Sequence, residues 1–104
     1  MKLVNTETIP GQEYEAISLV RGSIIQARHV GSDIFNALKG LVGGELTSYS
    51  KMMEDARSKA TRRMVEEAES LGADAVVNVR YTTSSVRTGA AEILVFGTAV
   101  KFVK

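Results

Sequence analysis

Apolar and polar positions along the chain follow two repeats that predict two kinds of element. Alternating apolar positions predict strands over residues 3–8, 14–26, 75–83 and 91–103. Apolar positions at helical spacing predict a short helix over residues 34–42 and a long helix over 45–71. Gly72 stands where a glycine ends a helix, and Gly22 suggests a bulge in the second strand. The pattern therefore predicts an α+β chain whose helices cover one face of a sheet.

The apolar side chains of the long helix fall along one narrow line. Ala56 and Ala60 lie at its centre, so the helix axis can approach the sheet closely there. Glu67 breaks the pattern, because it lies about 20° from the centre of the same line. One interpretation is a carboxylate that is partly exposed where the helix extends beyond the sheet, or that is held by Arg63 or by a cation of a neighbouring subunit. The other is an acidic ligand or acid/base group in a buried site.

The last predicted strand is apolar on both faces. Leu94 and Phe96 lie on one face, whereas Ile93 and Val95 lie on the other. The helices can cover only one face of a small sheet, so the second face is predicted to meet another subunit. Small residues around Gly97 would allow a close backbone approach. The predicted contact residues are Ile93, Val95, Gly97 and Ala99.

Length and composition support self-assembly and limit the chemistry. A chain of 104 residues with three Phe, three Tyr and no Trp forms one domain with a small core. The absence of cysteine fits a reducing cytoplasm and excludes thiolate metal sites. A net charge of +1 argues against nucleic-acid partners, and no apolar stretch is long enough to cross a membrane. We therefore expect a soluble, cytoplasmic, single-domain protein spanning residues 1–104.

Catalytic motifs are not apparent in the sequence. His29 is the only histidine, and no Gly-x-Ser-x-Gly nucleophile motif occurs. The glycine-rich segment 40–44 lacks the lysine of a phosphate loop and is followed by Glu45, whose charge disfavours an anion. We therefore expect a protein without enzymatic activity.

Three segments stand out in their order along the chain: Val42-Gly43-Gly44-Glu45-Leu46, Leu71-Gly72-Ala73-Asp74-Ala75-Val76-Val77 and Gly97-Thr98-Ala99-Val100. Together they resemble the YbjQ-like family, a family labelled as heavy-metal-binding, and the similarity covers nearly the whole chain. The resemblance implies a dodecin-like β-α-β-β subunit, with an antiparallel sheet packed on one long helix plus a short helix. It also implies a prokaryotic protein assembled as a ring, typically a homopentamer, with no established enzymatic activity.

Two functions remain open from the sequence. The first is a homo-oligomer that binds a divalent metal ion or a small ligand at subunit boundaries. Without cysteine the metal ligands would be oxygen atoms or the single imidazole of His29. The oxygen candidates are Glu45, Glu67 and Glu92, with Tyr49 as a further ligand. The second is a structural or scaffold oligomer without a ligand, in which Glu67 forms an ion pair with Arg63 or with a neighbouring subunit.

Overall fold

The computed structural model describes residues 1–27, 45–87 and 90–104. In chain order, the elements are strand β1 (Lys2–Leu3), strand β2 (Tyr14–Ala27), helix α1 (Glu45–Ser70), strand β3 (Ala75–Arg87) and strand β4 (Ala90–Phe102). The long helix and the three long strands confirm the sequence prediction to within a few residues, whereas the first strand is much shorter than predicted. The predicted short helix over 34–42 lies outside the described residues.

The sheet is mixed rather than antiparallel as predicted. Its strand order is β1-β3-β4-β2, with β4 antiparallel to both of its neighbours and β1 parallel to β3. The chain after β1 continues along the outer edge of β3 in the same direction. There the Val4 N–H donates to the Val76 carbonyl oxygen at 3.0 Å, and the Val79 N–H donates to the Val4 carbonyl oxygen at 3.0 Å. Strand β4 therefore lies in the interior of the sheet, and β2 lies at an edge of it.

Helix α1 ends as the sequence predicts. Gly72 has a φ of +78°, a left-handed conformation that glycine adopts without steric cost. The Gly72 N–H donates to the Glu69 carbonyl oxygen at 3.0 Å, and the Ala73 N–H donates to the Ala68 carbonyl oxygen at 3.1 Å. These two bonds form a Schellman motif, which satisfies carbonyl groups that the helix end would leave unpaired. Within the described residues, no helix combines the length and the apolarity that crossing a bilayer requires.

The main core lies between α1 and the sheet. The helix contributes four fully buried side chains at successive turns, and β2 and β4 supply most of the opposing surface. The buried helix residues are Ala56, Ala60, Met64 and Ala68, and they pack on Val20, Val76, Val79, Ile93, Val95 and Ala99. The alanine-centred stripe is therefore confirmed as a packing surface of the helix.

The irregular positions of the sheet differ from the prediction at Gly22. The bulge in β2 lies between Ala16 and Ser18, whereas Gly22 pairs regularly with Val95. A second register shift in β3 follows Val77, where Asn78 has a φ of +56°. Asparagine is one of the few residues other than glycine that tolerate this conformation. Gly22 therefore has a different role from the predicted bulge.

A second, smaller core lies on the other face of the sheet. The segment after β1 folds back through a Pro10-Gly11 turn, in which the Gln12 N–H donates to the Ile9 carbonyl oxygen at 3.0 Å and Gly11 has a φ of +74°. The buried residues of this second core are Ile9, Ala75, Val77 and Val100. The sequence pattern predicted that only another subunit would cover the sheet face without helices, but the N-terminal segment covers one end of that face.

Candidate functional site

Helix α1 contacts strand β2 backbone to backbone at Gly22. An ideal Cβ atom on Gly22 would lie 2.0 Å from the Ala60 carbonyl oxygen and 2.6 Å from the Met64 amide nitrogen. Any side chain at this position would overlap the helix, so glycine is required for the close approach. This contact fixes the position of the helix over β2 and determines which charged side chains reach the strand.

Two charged side chains of α1 bind the outer edge of β2 on either side of Gly22. The Arg21 amide N–H donates to Glu67 Oε1 at 2.8 Å, and Arg63 Nη1 donates to the Ser23 carbonyl oxygen at 2.8 Å. Among the described strands, β2 has only β4 as a neighbour, so its outer backbone groups are open to pairing with another chain. Glu67 and Arg63 therefore satisfy part of this edge and hold the helix on the strand.

These contacts explain why an acidic residue lies on the apolar line of the helix. Glu67 and Arg63 each bind the β2 backbone, and neither forms the predicted ion pair with the other among the described contacts. The residues reach opposite sides of Gly22 because they are one helical turn apart. The spacing of Arg63 and Glu67 is visible in the sequence, but their partners depend on the register between α1 and β2, which the sequence does not specify.

The predicted metal ligands do not meet within one chain. Glu67 lies on the helix side of the sheet, at the β2 edge. Glu92 lies on β4 between its partners Ile25 and Ser84, and it faces away from α1 because its neighbour Ile93 is buried beneath the helix. Glu45 is the first residue of α1.

The side chains of Glu45 and Tyr49, together with the whole of His29 and the segment 40–44, lie outside the described part of the chain. In that part, no group of three or more His, Cys, Asp or Glu residues could hold a metal ion. The oxygen-ligand site stays a prediction, and a site that includes both Glu67 and Glu92 would need ligands from more than one copy.

The residues predicted to contact another subunit lie under the helix instead. Ile93, Val95 and Ala99 are at most 1% exposed within the single chain. An ideal Cβ on Gly97 would lie 2.7 Å from Val76 Cγ1, so its small size serves a contact within the sheet. The prediction therefore chose the face of β4 that α1 covers, and the face available to a partner is the opposite one. The sequence could not distinguish the two faces because both are apolar.

We call the sheet surface opposite α1, which residues 1–27, 45–87 and 90–104 leave uncovered, the open face. It consists of Leu19, Arg21, Ser23 and Ile25 of β2, Arg80, Thr82 and Ser84 of β3, and Glu92, Leu94 and Phe96 of β4. Leu19 and Ile25 are 62% and 63% exposed, the highest values for large apolar side chains among the described residues. On β3, at the border of the open face away from β2, Arg80 Nη1 donates to the Asn5 carbonyl oxygen at 2.7 Å. The open face thus combines exposed apolar side chains with arginine side chains on both sides of Phe96.

Comparison with known proteins places this architecture in a family. The fold defines a small α+β protein with one long helix on a mixed four-stranded sheet. The chain belongs to the YbjQ family, described as "Putative heavy-metal-binding", whose family model matches residues 1–103. This finding confirms the resemblance seen in the three sequence segments.

The relatives extend over the whole chain. A UPF0145 protein of Clostridium novyi (strain NT) is 63% identical over 101 residues, which are 97% of this chain and 98% of that protein. A UPF0145 protein of Methanosarcina acetivorans is 60% identical over 102 residues, covering 97% of this chain and 96% of that protein. A solved structure of a DUF74-family protein of unknown function from Pediococcus pentosaceus has a TM-score of 0.71 at 14% identity, with 99% and 98% of the two chains covered. The structural similarity supports the fold alone.

Proposed function

We propose that this protein is a self-associating module that joins copies of itself through the open face, and that it binds a divalent metal ion or a small ligand at the resulting boundaries. The observation that carries the proposal is the exposure of Leu19 and Ile25, at 62% and 63%, on a sheet face that the described part of the chain leaves uncovered. The occupant of the face is a second copy of this chain, arranged in a closed ring with five copies as the expected number.

The residues around these two side chains support an interface. Leu94 and Phe96, in the interior strand, are only partly buried on the same face. Covering such apolar surface is favourable by roughly 25 cal/mol per Å² removed from water. The arginines beside Phe96 suit an interface, because guanidinium groups stack on aromatic rings and bind carboxylates. A second copy would stabilise a chain whose own core consists mainly of alanine and valine side chains.

The ligand part of the proposal rests on symmetry and on Glu92. This carboxylate lies on the open face between Ile25 and Ser84. Within the described residues, the Glu92 carboxylate forms no ion pair and no hydrogen bond. In a cyclic assembly each subunit would bring the same carboxylate to an equivalent position, so ligands that are too few in one chain can be pooled at a boundary. Oxygen ligands of this kind suit hard divalent cations.

A structural oligomer without a ligand is the second candidate. It is favoured by the contacts of Glu67 and Arg63, which already hold α1 on β2 and need no metal ion to explain them. The two candidates share the open-face interface and differ only in whether the boundary binds an ion.

Light scattering coupled to size-exclusion chromatography tests the interface. Replacing Leu19 and Ile25 together by lysine should convert the assembly to monomers, because both side chains are exposed in the single chain and would become buried charges at the boundary. Leu71→Lys is the matched control, since Leu71 is 44% exposed at the end of α1, away from the open face. A monomeric parent protein, or an assembly unchanged by the double replacement, would contradict the proposal.

Calorimetric titration of the chelator-treated protein with a series of divalent metals tests the ligand. We expect the parent protein to bind at least one of these metals. Glu92→Gln should weaken the affinity at least tenfold, whereas Glu66→Gln, at an exposed helix position, should change the affinity less than twofold. An intact oligomer that binds no metal more tightly than tens of micromolar would contradict the metal part and favour the structural oligomer.

A further inference from the structure

A depression lined by residues with polar groups lies between helix α1 and the exposed part of strand β3, and we call it the helix–β3 groove. Its volume is about 620 Å³, and it is lined by Glu54, Arg57, Ser58, Thr61 and Tyr81. Tyr81 pairs with the buried Val95, so its side chain is on the helix side of the sheet. The groove is therefore on the opposite side of the sheet from the open face and is independent of the proposed boundary.

One wall of the groove is held by two linked hydrogen bonds. Thr61 Oγ1 donates to the Arg57 carbonyl oxygen at 2.8 Å, and it lies 2.8 Å from the Tyr81 hydroxyl oxygen. A threonine hydroxyl has a single proton, so Tyr81 is the donor in the second bond. The Tyr81 ring is thereby fixed to the helix while 49% of the residue remains exposed. An aromatic surface of defined orientation is available to a ligand.

Arg57 is the positively charged residue of the groove. Within the described residues, no carboxylate or carbonyl group binds its guanidinium group. By contrast, Lys59 on the same helix pairs with Asp55 at 3.1 Å. The guanidinium offers several N–H donors in a planar fork that fits the two oxygen atoms of a carboxylate or phosphate group. The Ser58 hydroxyl, next to Arg57 in the chain, adds a further donor at the same lining.

We propose that the helix–β3 groove binds a small molecule that carries one oxyanion, a carboxylate or a phosphate monoester, on an apolar or aromatic body. Arg57 binds the oxyanion, Ser58 donates to it, and the body of the ligand lies against the Tyr81 ring. Glu54, at the same groove, repels additional negative charge. The site therefore favours a compact ligand with a single oxyanion group over an extended polyanion such as a nucleic acid.

Nuclear magnetic resonance titration of the full chain tests this site, with phenyl phosphate, benzoate and inorganic phosphate as probes. Phenyl phosphate and benzoate should shift the amide signals of Ser58, Thr61 and Tyr81 saturably in the millimolar range. Inorganic phosphate should bind several-fold more weakly, because it lacks a body to contact the ring. Comparison of the two organic probes identifies the preferred oxyanion.

Two arginine variants separate a local site from general attraction to positive charge. Arg57→Gln should weaken binding at least tenfold, because it removes a charge-assisted hydrogen bond. Arg62→Gln removes the same charge from another face of α1 and should change affinity less than twofold; both residues are exposed, so both variants should fold. The absence of saturable shifts at tens of millimolar, equal weakening by the two variants, or equal affinity for inorganic phosphate and phenyl phosphate would overturn the proposal.

Discussion

Replacing Gly22 by alanine tests whether the contact between α1 and β2 determines the position of the helix. The added Cβ would lie 2.0 Å from the Ala60 carbonyl oxygen, 2.6 Å from the Met64 amide nitrogen and 3.0 Å from the Arg63 Cβ. The two nearest atoms belong to the helix backbone, so no side-chain rotation can relieve the overlap. The helix would have to move away from the strand by about 1 Å or more.

This displacement should lower the free energy of unfolding, because the core beneath the helix is closely packed. Ala56, Ala60 and Met64 are fully buried against the sheet, and moving them apart loses their contacts. Overpacking of a core typically costs about 1 to 3 kcal/mol, and a clash with backbone atoms belongs at the upper end of that range. About 3 kcal/mol is a large part of the 5 to 15 kcal/mol that stabilises a typical domain. For about 100 residues it corresponds to a fall in Tm of roughly 12 °C.

Thermal and urea unfolding followed by circular dichroism would measure this loss. The parent and variant proteins are compared at one concentration, because the proposed self-association would make the apparent stability depend on concentration. Gly72→Ala is the matched control. It adds the same methyl group at a φ of +78° with no atom within 4 Å of the new Cβ, so only backbone strain of about 1 kcal/mol is expected. A Gly22→Ala protein no less stable than Gly72→Ala would refute the reasoning.

Substitutions at three further positions test two hydrogen bonds and one strained backbone position by the same unfolding measurement. Glu67→Ala removes the acceptor of the Arg21 N–H and should lower the free energy of unfolding by about 1 kcal/mol. Glu67→Gln keeps an acceptor oxygen and should lower it by about half as much or less. Equal losses for the two variants would contradict the edge contact. Asn78→Gly should be neutral or stabilising and Asn78→Ala should cost about 1 kcal/mol, because φ is +56°; the reverse order would disprove the strain. Tyr81→Phe should cost about 0.5 to 1 kcal/mol by removing the bond to Thr61, and an unchanged stability would show that this bond contributes nothing.

The helix and the long strands could be predicted from short stretches of sequence, whereas which of them pack or pair with each other could not. The long helix follows from apolar positions at helical spacing, and its end follows from Gly72, because both signals depend on neighbours within a few residues. The parallel β1–β3 pair escaped prediction since it joins residues more than 70 positions apart. The pattern predicts a bulge at Gly22, which is wrong, because the sequence shows where a side chain is absent but not which backbone approaches that position.

The candidate sites show the same division. The sequence identified Glu67 as exceptional, and the structure showed that this carboxylate accepts the Arg21 N–H at the strand edge. It also identified β4 as apolar on both faces, but assigned Ile93 and Val95 to a partner although α1 buries both. The helix–β3 groove gave no signal, because Arg57 and Tyr81 are distant in sequence and each is ordinary in its own element.

The sequence by itself determined the helix, the long strands, the helix cap and the surplus of apolar surface on β4. These properties depend on spacing and on intrinsic backbone preferences, which act within a few residues. Only the tertiary structure decided which face of β4 the helix covers, and therefore which face the described residues leave uncovered. That choice depends on where the backbone of α1 can approach the sheet, and Gly22 permits the approach on one side of β2.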